Sequence, residues 1–177
     1  GAKLFNVSKQ DYVNASIENT HLFIIKPENV ETYVKDCYEE LEVGRDEYIK
    51  ACFKNPRLFT LPPHLLKQNI NDHCEVLRVV DRQEVIDAAM RRPALFTLKK
   101  ELLRETVVDA SKLLEISEDE FIKAGLTNPQ MFLLKGKDID DKMSEMSKVI
   151  GIEKETLTRM ALSNPFIFTA NTELLND

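Results

Sequence analysis

Tryptophan is absent from this 177-residue chain, and only 5 residues are glycine. All-β folds need many tight turns, and glycine supplies the backbone conformations that such turns require. The composition therefore disfavours an all-β fold. The chain has no apolar run of about 18 residues, so no membrane span is predicted. Its first residues show no basic segment followed by an apolar one, so no signal peptide is predicted.

The components of an active site are also missing from the sequence. There is no Gly-rich phosphate loop, no nucleophile elbow and no cluster with metal-ligand spacing. The 3 histidines have no HxH or HExxH spacing, and His73 is predicted to be a partly buried structural residue. The acidic run Asp138-Ile139-Asp140-Asp141 lacks the glycine and the distal glutamate of a calcium loop. We therefore expect a protein that is not an enzyme and has no cofactor, no metal and no small-molecule substrate.

Cysteine is scarce as well, and its number is odd: Cys37, Cys52 and Cys74. Without metal-ligand spacing, these residues are predicted to fill the core. They indicate an intracellular, reducing compartment, either the cytoplasm or an organelle if a transit peptide has been removed.

The chain does contain one segment that recurs at a fixed interval. Its copies are Pro56-Arg57-Leu58-Phe59, Pro93-Ala94-Leu95-Phe96, Pro129-Gln130-Met131-Phe132 and Pro165-Phe166-Ile167-Phe168, preceded by Asn19–Ile25, which lacks the proline. The phenylalanines stand at 23, 59, 96, 132 and 168, so the period is 36 residues with one step of 37. A fixed period of this size is typical of stacked helical units.

Two helices are predicted in each period. A short helix precedes the proline, which ends it, and its start carries capping residues at Ser8, Asp81 and Ser117. A longer helix follows the turn, with apolar residues at i, i+4, i+7 and i+11 on one buried face. These stripes are Val30, Val34, Cys37, Leu41; Leu66, Ile70, His73, Leu77; Leu103, Val107, Ala110, Leu114; and Ile139, Met143, Met146, Ile150.

The pattern predicts an all-α fold, a curved α-solenoid of ~36-residue helix-turn-helix repeats that each close on a Pro-x-Leu-Phe turn. Small residues four and five before the proline are expected to let another helix approach closely. Residues 1–177 are predicted to form a single helical-repeat domain, part of a longer array, with repeat boundaries near 19/20, 55/56, 92/93, 128/129 and 164/165. Thr172-Glu173-Leu174-Leu175 is predicted to begin another long helix.

A helical repeat of this size that closes on Pro-x-Leu-Phe resembles the mitochondrial transcription termination factor (mTERF) family. The likeness rests on the four Pro-x-Leu-Phe segments given above and extends over nearly the whole chain. It implies a half-ring of helices that grips duplex DNA or structured RNA in a basic groove. The residues assigned to the repeat motif are Pro56, Phe59, Pro93, Phe96, Pro129, Phe132, Pro165 and Phe168.

Cations on the short helices and turns are the candidate nucleic-acid ligands, because equivalent positions of a solenoid align on one surface. They are Lys50, Lys54, Arg57, Arg91, Arg92, Lys99, Lys123, Lys135 and Arg159. A basic stripe of this kind would follow a line of phosphates. The other interpretation is a solvated face in which lysines near helix ends offset the helix dipole.

Two functions remain open from the sequence. One is a non-enzymatic binding module of mTERF-like repeats that binds nucleic acid. The alternative is a protein–protein interaction scaffold that holds a peptide or a helix in its groove, which the net charge of −6 favours. A third possibility is an array terminus that serves only in assembly. No interaction with a membrane is predicted.

Overall fold

The structure is a computed structural model that describes residues 1–170. This part of the chain is all-α and contains no strand, which confirms the predicted fold class. Its α-helices are α1 (Lys9–Glu18), α2 (Pro27–Leu41), α3 (Arg45–Lys54), α4 (Pro63–Leu77), α5 (Arg82–Arg91), α6 (Lys100–Leu113), α7 (Glu118–Thr127), α8 (Gly136–Ile150) and α9 (Lys154–Ser163). No helix in the described chain is long and apolar enough to cross a membrane. The predicted helix at Thr172–Leu175 lies outside the described residues.

Short 3₁₀ helices follow the short α-helices. Within the described chain they span Thr20–Phe23, Pro56–Thr60, Pro93–Thr97, Pro129–Leu133 and Pro165–Thr169. We refer to the last four as the proline turns. Each of them starts at the proline that sequence reasoning placed at the end of the short helix, since proline cannot continue the hydrogen bonding of an α-helix. The order short helix, turn, long helix thus recurs along the chain.

The helix starts follow the predicted capping chemistry. The Ser117 hydroxyl accepts from the backbone N–H of Glu120, and the Glu120 carboxylate accepts from the backbone N–H of Ser117, which completes a capping box. Ser8 and Asp81 each accept one backbone N–H with their side chains. Among the long helices, α2 and α4 begin at Pro27 and Pro63, where the missing proline N–H costs no helical hydrogen bond.

The ends of the long helices share a left-handed residue that the sequence analysis did not anticipate. Positive φ angles occur at Asn6, Glu42, Arg78, Glu115 and Gly151. These positions are spaced by 36 residues with one step of 37, so they follow the period of the phenylalanines. A left-handed residue closes a helix and redirects the chain. The same backbone geometry therefore ends each long helix, whichever side chain the position carries.

The described chain forms two compact units. Unit 1 comprises residues 1–74 and 81–97, and unit 2 comprises residues 75–80 and 98–170. In unit 1, α2 packs against the turn Pro56–Thr60, and α3 packs against both that turn and the turn Pro93–Thr97. In unit 2, α6 packs along α8, and α7 packs against α9 and against the turn Pro165–Thr169.

The apolar stripes of the long helices form the core of these units. All of the predicted stripe positions are buried except Ile150, which is 44 % exposed. His73 is completely buried rather than partly buried. The motif phenylalanines Phe59, Phe96, Phe132 and Phe168 are at most 1 % exposed. Phe23 differs from them, since 62 % of its surface is exposed.

Small residues permit close packing at two glycines. A Cβ atom added to Gly136 would lie 2.5 Å from the backbone nitrogen of Ala110, so α8 begins in direct contact with α6. A Cβ atom added to Gly125 would lie 2.3 Å from the ring of Phe132. At Gly125 the group that approaches is thus an aromatic side chain of the next turn, whereas the sequence analysis expected another helix. Both positions are tightly packed.

An asparagine at the end of the short helix links that helix to the next proline turn. The Asn19 amide donates to the Pro56 carbonyl at 2.8 Å and to the Thr60 hydroxyl at 2.9 Å. Asn55 and Asn128 repeat this pair of bonds with the proline carbonyl and threonine hydroxyl of the following turn, at distances of 2.8 to 3.0 Å. We call each such pair of hydrogen bonds an asparagine rung. It adds a side-chain donor from one repeat to the first carbonyl group of the next proline turn.

The rung is testable with two asparagines in one unit. Asn128→Ala removes two hydrogen bonds of a buried side chain, so it should lower the free energy of unfolding by about 1–3 kcal/mol. Asn164 stands at the same repeat position but is exposed, and its side chain forms no hydrogen bond within residues 1–170. Asn164→Ala should change stability by less than about 0.5 kcal/mol. Equal effects in urea denaturation would contradict a structural role for the rung.

The burial of the motif phenylalanines gives a second matched pair. Phe132→Ala removes a fully buried ring and should cost about 3–5 kcal/mol of stability. Phe23→Ala removes a ring that is already largely solvated and should cost less than about 1 kcal/mol. Thermal or chemical denaturation of both variants measures the difference, and similar losses would contradict the assigned burial.

Candidate nucleic-acid interface

All nine candidate cations have exposed side chains. Lys54 and Arg91 lie in the last turns of α3 and α5, and Arg57 and Arg92 lie at or next to the proline turns that follow. Lys99 and Lys135 directly precede α6 and α8. Because the proline turn joins the end of a short helix to the start of the next long helix, these residues lie at the same end of their repeats. We call this end the turn edge.

In unit 1, the cations of two repeats line a common groove. Lys50, Lys54 and Arg91 border an open depression of about 640 Å³ between α3 and α5. Lys50 and Lys54 form no ion pair within the described chain. The groove thus brings Lys50 and Lys54 of one short helix together with Arg91 of the next short helix. This agrees with the alignment of equivalent positions on one surface.

Carboxylates share this groove. Glu42, Glu47 and Asp87 also line it, so its formal charges balance. Asp87 accepts a hydrogen bond from Gln83, one turn earlier on α5. The groove is therefore polar and mixed in charge instead of uniformly basic, and its cations lie toward the turn edge while Glu42 and Glu47 lie at the start of α3.

In unit 2, two lysines occupy positions that local helix electrostatics does not favour. Lys99 and Lys135 are the N-cap residues of α6 and α8, and neither makes a side-chain capping bond. The N-terminus of a helix carries a partial positive charge, which disfavours a cation and favours an anion. Offsetting the dipole thus explains Lys54 and Arg91, which lie at helix C-termini, but not Lys99 and Lys135.

Arg159 is paired within its own unit. It donates to the Glu120 carboxylate at 2.8 Å. Hydrogen bonds from the Ser117 backbone and hydroxyl, followed by the charge of Arg159, hold the pKa of Glu120 below its usual value. Lys123 on α7 forms no ion pair among the described residues. Of the two cations predicted on the short helices of unit 2, only Lys123 therefore presents an uncompensated charge.

Ion pairs collect at the opposite end of the repeats, where long helices end and short helices begin. Arg78 donates to Glu118 and Asp119 in the first turn of α7. In unit 1, Glu40 accepts from Arg82 and Lys67. Partial burial opposes ionisation of Glu40, but these two cations outweigh it and lower its pKa. Here the cations are matched by carboxylates.

The cysteines are not poised for chemistry. Cys37 and Cys52 are buried in unit 1 beside the Tyr48 hydroxyl. Burial raises the pKa of Cys37 to about 11 and also raises the pKa of Cys52. Burial likewise raises the pKa of the partly exposed Cys74. Neutral thiols are poor nucleophiles. Within residues 1–170, no three potential metal ligands converge.

Unit 2 also contains an apolar groove that sequence reasoning did not locate. It has a volume of about 350 Å³ and runs between α6 and the segment that leads into α8. Leucines form much of its surface, and Leu102 and Leu113 are exposed within it. Lys135 and Lys137 border it on one side, and Glu105 and Asp109 lie on α6.

No protein-family model matches this sequence, and no curated protein matches it. The resemblance to the mTERF family stays a prediction, as do the single domain over residues 1–177, the absence of enzymatic activity and the intracellular location. The structure brings some of the predicted cations together in unit 1 and pairs one of them, Arg159, with a carboxylate.

The thiols provide a test of this description. At about pH 8, a thiol reagent such as Ellman's reagent should modify Cys74 at least about a hundredfold faster than Cys37 or Cys52, because both are buried and protonated. The Cys74→Ser variant should lose only the fast phase. Three equally fast thiols would contradict this assignment.

The pKa of the Cys37 thiol is raised in the folded state. The stabilisation that the neutral thiol contributes is therefore present below pH 9.0 and is lost as the pH rises to about 11.

Proposed function

We propose that the chain is an mTERF-like α-solenoid that acts as a non-enzymatic module and binds nucleic acid through the cations of its turn edge. The repeated asparagine rungs support the solenoid, because each one links a short helix to the turn of the next repeat within its unit. In such an array no repeat buries its apolar face alone, and neighbours supply the missing surface.

One observation carries the binding function. Lysine stands at the N-caps of α6 and α8, where the helix dipole disfavours it and where it makes no capping bond. The backbone N–H groups at these helix starts and the lysine ammonium groups would attract the same ligand, an anion. Phosphates of a nucleic-acid backbone meet this requirement at successive repeats, and the lysines lie beside one carboxylate in each first turn, Glu101 in α6 and Asp138 in α8.

The ligand chemistry expected here is that of the phosphate backbone. The lysine and arginine side chains of the turn edge are the groups that would contact phosphates. Contacts of this kind fix position and supply affinity, but they carry no sequence information. We therefore expect binding that depends on ionic strength and varies little between nucleic-acid sequences.

The protein-binding scaffold is the second candidate function. It is favoured by the groove of unit 2, since exposed leucines at Leu102 and Leu113 are the kind of surface that an amphipathic helix covers. The mixed charges around that groove would orient such a helix. Lys135 belongs to the turn edge and also borders this groove, so the two candidate surfaces of unit 2 meet at this residue.

Charge reversal at the two ends of the same helices tests the proposal. Lys99→Glu with Lys135→Glu changes the turn edge, and Lys112→Glu with Lys148→Glu changes the last turns of α6 and α8 by the same total charge. In fluorescence anisotropy at low salt, the first pair should weaken binding to nucleic acid by about tenfold or more, and the second by less than about threefold.

Circular dichroism of both double variants provides the check on folding. Equal losses would show that net charge alone matters and would contradict the assigned edge. If the unmodified chain does not bind at low salt, the nucleic-acid proposal is wrong, and the apolar groove of unit 2 becomes the surface to test.

A further inference from the structure

Two sets of residues are more exposed than most of their counterparts in other repeats. In unit 1, Phe23 is 62 % exposed, whereas the other motif phenylalanines are at most 1 % exposed. Ile24, next to Phe23, is also exposed. At the equivalent position, three of the proline turns carry a threonine and the fourth carries Leu133. We call Phe23 and Ile24 the head face. Apolar surface of this kind is the part of a repeat that a preceding repeat covers.

The second set lies in unit 2. Ile150 and Met160 are 44 % and 49 % exposed, and Asn164 is exposed as well. We call these three residues the tail face. Their counterparts in the other repeats are buried leucines, buried alanines and the asparagines of the rungs. This is the part of a repeat that a following repeat covers.

Contacts inside the units show how such faces meet. The Phe59 ring lies 5.1 Å from the ring of Phe5, and the Phe96 ring lies 6.4 Å from the ring of Tyr48, so these two motif phenylalanines of unit 1 insert against the preceding repeat. The asparagine of that preceding repeat donates to the first carbonyl of the turn. Asn164 holds the donor position of this joint, and the Thr20 carbonyl holds the acceptor position.

We propose that the head face of one copy of this chain stacks on the tail face of a second copy. The joint reproduces the internal one, with Phe23 against the surface of Ile150 and Met160 and the Asn164 amide bonded to the Thr20 carbonyl. Ile24 stands in place of the threonine and has no hydroxyl group. One of the two rung hydrogen bonds is therefore missing, and an apolar contact takes its place. The two faces differ, so the association is heterologous and each added copy exposes a new free face.

The two faces can be disabled one at a time. Phe23→Glu removes the head face, and Met160→Glu removes the tail face, because a carboxylate without a partner resists burial. Val80→Glu is the matched control, since Val80 is fully exposed and belongs to neither face. Sedimentation velocity over a wide concentration range measures the species formed, and circular dichroism checks that each variant folds.

The unmodified chain and the Val80→Glu control should form species larger than a dimer as the concentration rises. Each single-face variant should remain monomeric at concentrations at least about tenfold above those at which the unmodified chain associates. A mixture of the two should form a 1:1 dimer and nothing larger, because one intact head meets one intact tail.

Other outcomes overturn the proposal. If the unmodified chain stays monomeric throughout, the faces do not bind a second copy and the proposal is wrong. Association that stops at a dimer and fails to recover on mixing the variants indicates a symmetric interface elsewhere. The measurement contains no nucleic acid, so its result is independent of the function proposed above.

Discussion

The hydrogen bonds of the asparagine amide to a proline carbonyl and a threonine hydroxyl are the interaction on which the rest of the structure depends. A proline turn ends the short helix sharply, and its first carbonyl group faces the preceding repeat. In three turns an asparagine amide of that repeat donates to this carbonyl and so fixes the position of the turn. With the turn in place, the motif phenylalanine inserts into the apolar layer behind it.

This joint also determines where charge can be placed. The buried turn brings the end of a short helix and the start of a long helix together, so cations from both reach one edge. At the other end, carboxylates form caps and ion pairs that stabilise the starts of the short helices. Each unit can in this way present lysine and arginine at its turn edge although the chain is acidic. Binding to phosphate is the function that this separation supports best.

Periodicity predicted the helices, the proline stops and the buried stripes, because each depends on residues close together in sequence. It did not predict the role of the asparagines, which bond across 37 to 42 residues. A signal was nevertheless present. Asn19, Asn55 and Asn128 are each followed one repeat later by a threonine, and where Arg92 replaces the asparagine, Leu133 replaces the threonine. The pairing of Arg159 with Glu120 depends on side-chain geometry, which the alignment of repeats does not contain.

The most direct test of the account is the salt dependence of binding to a mixed pool of duplex DNA, single-stranded DNA and RNA. A turn edge that contacts about four phosphates should give a slope of log K against log salt of about −3 or steeper. That result would establish the cations as a phosphate-binding surface. A slope near zero, or no binding at the lowest salt concentration, would contradict the central claim.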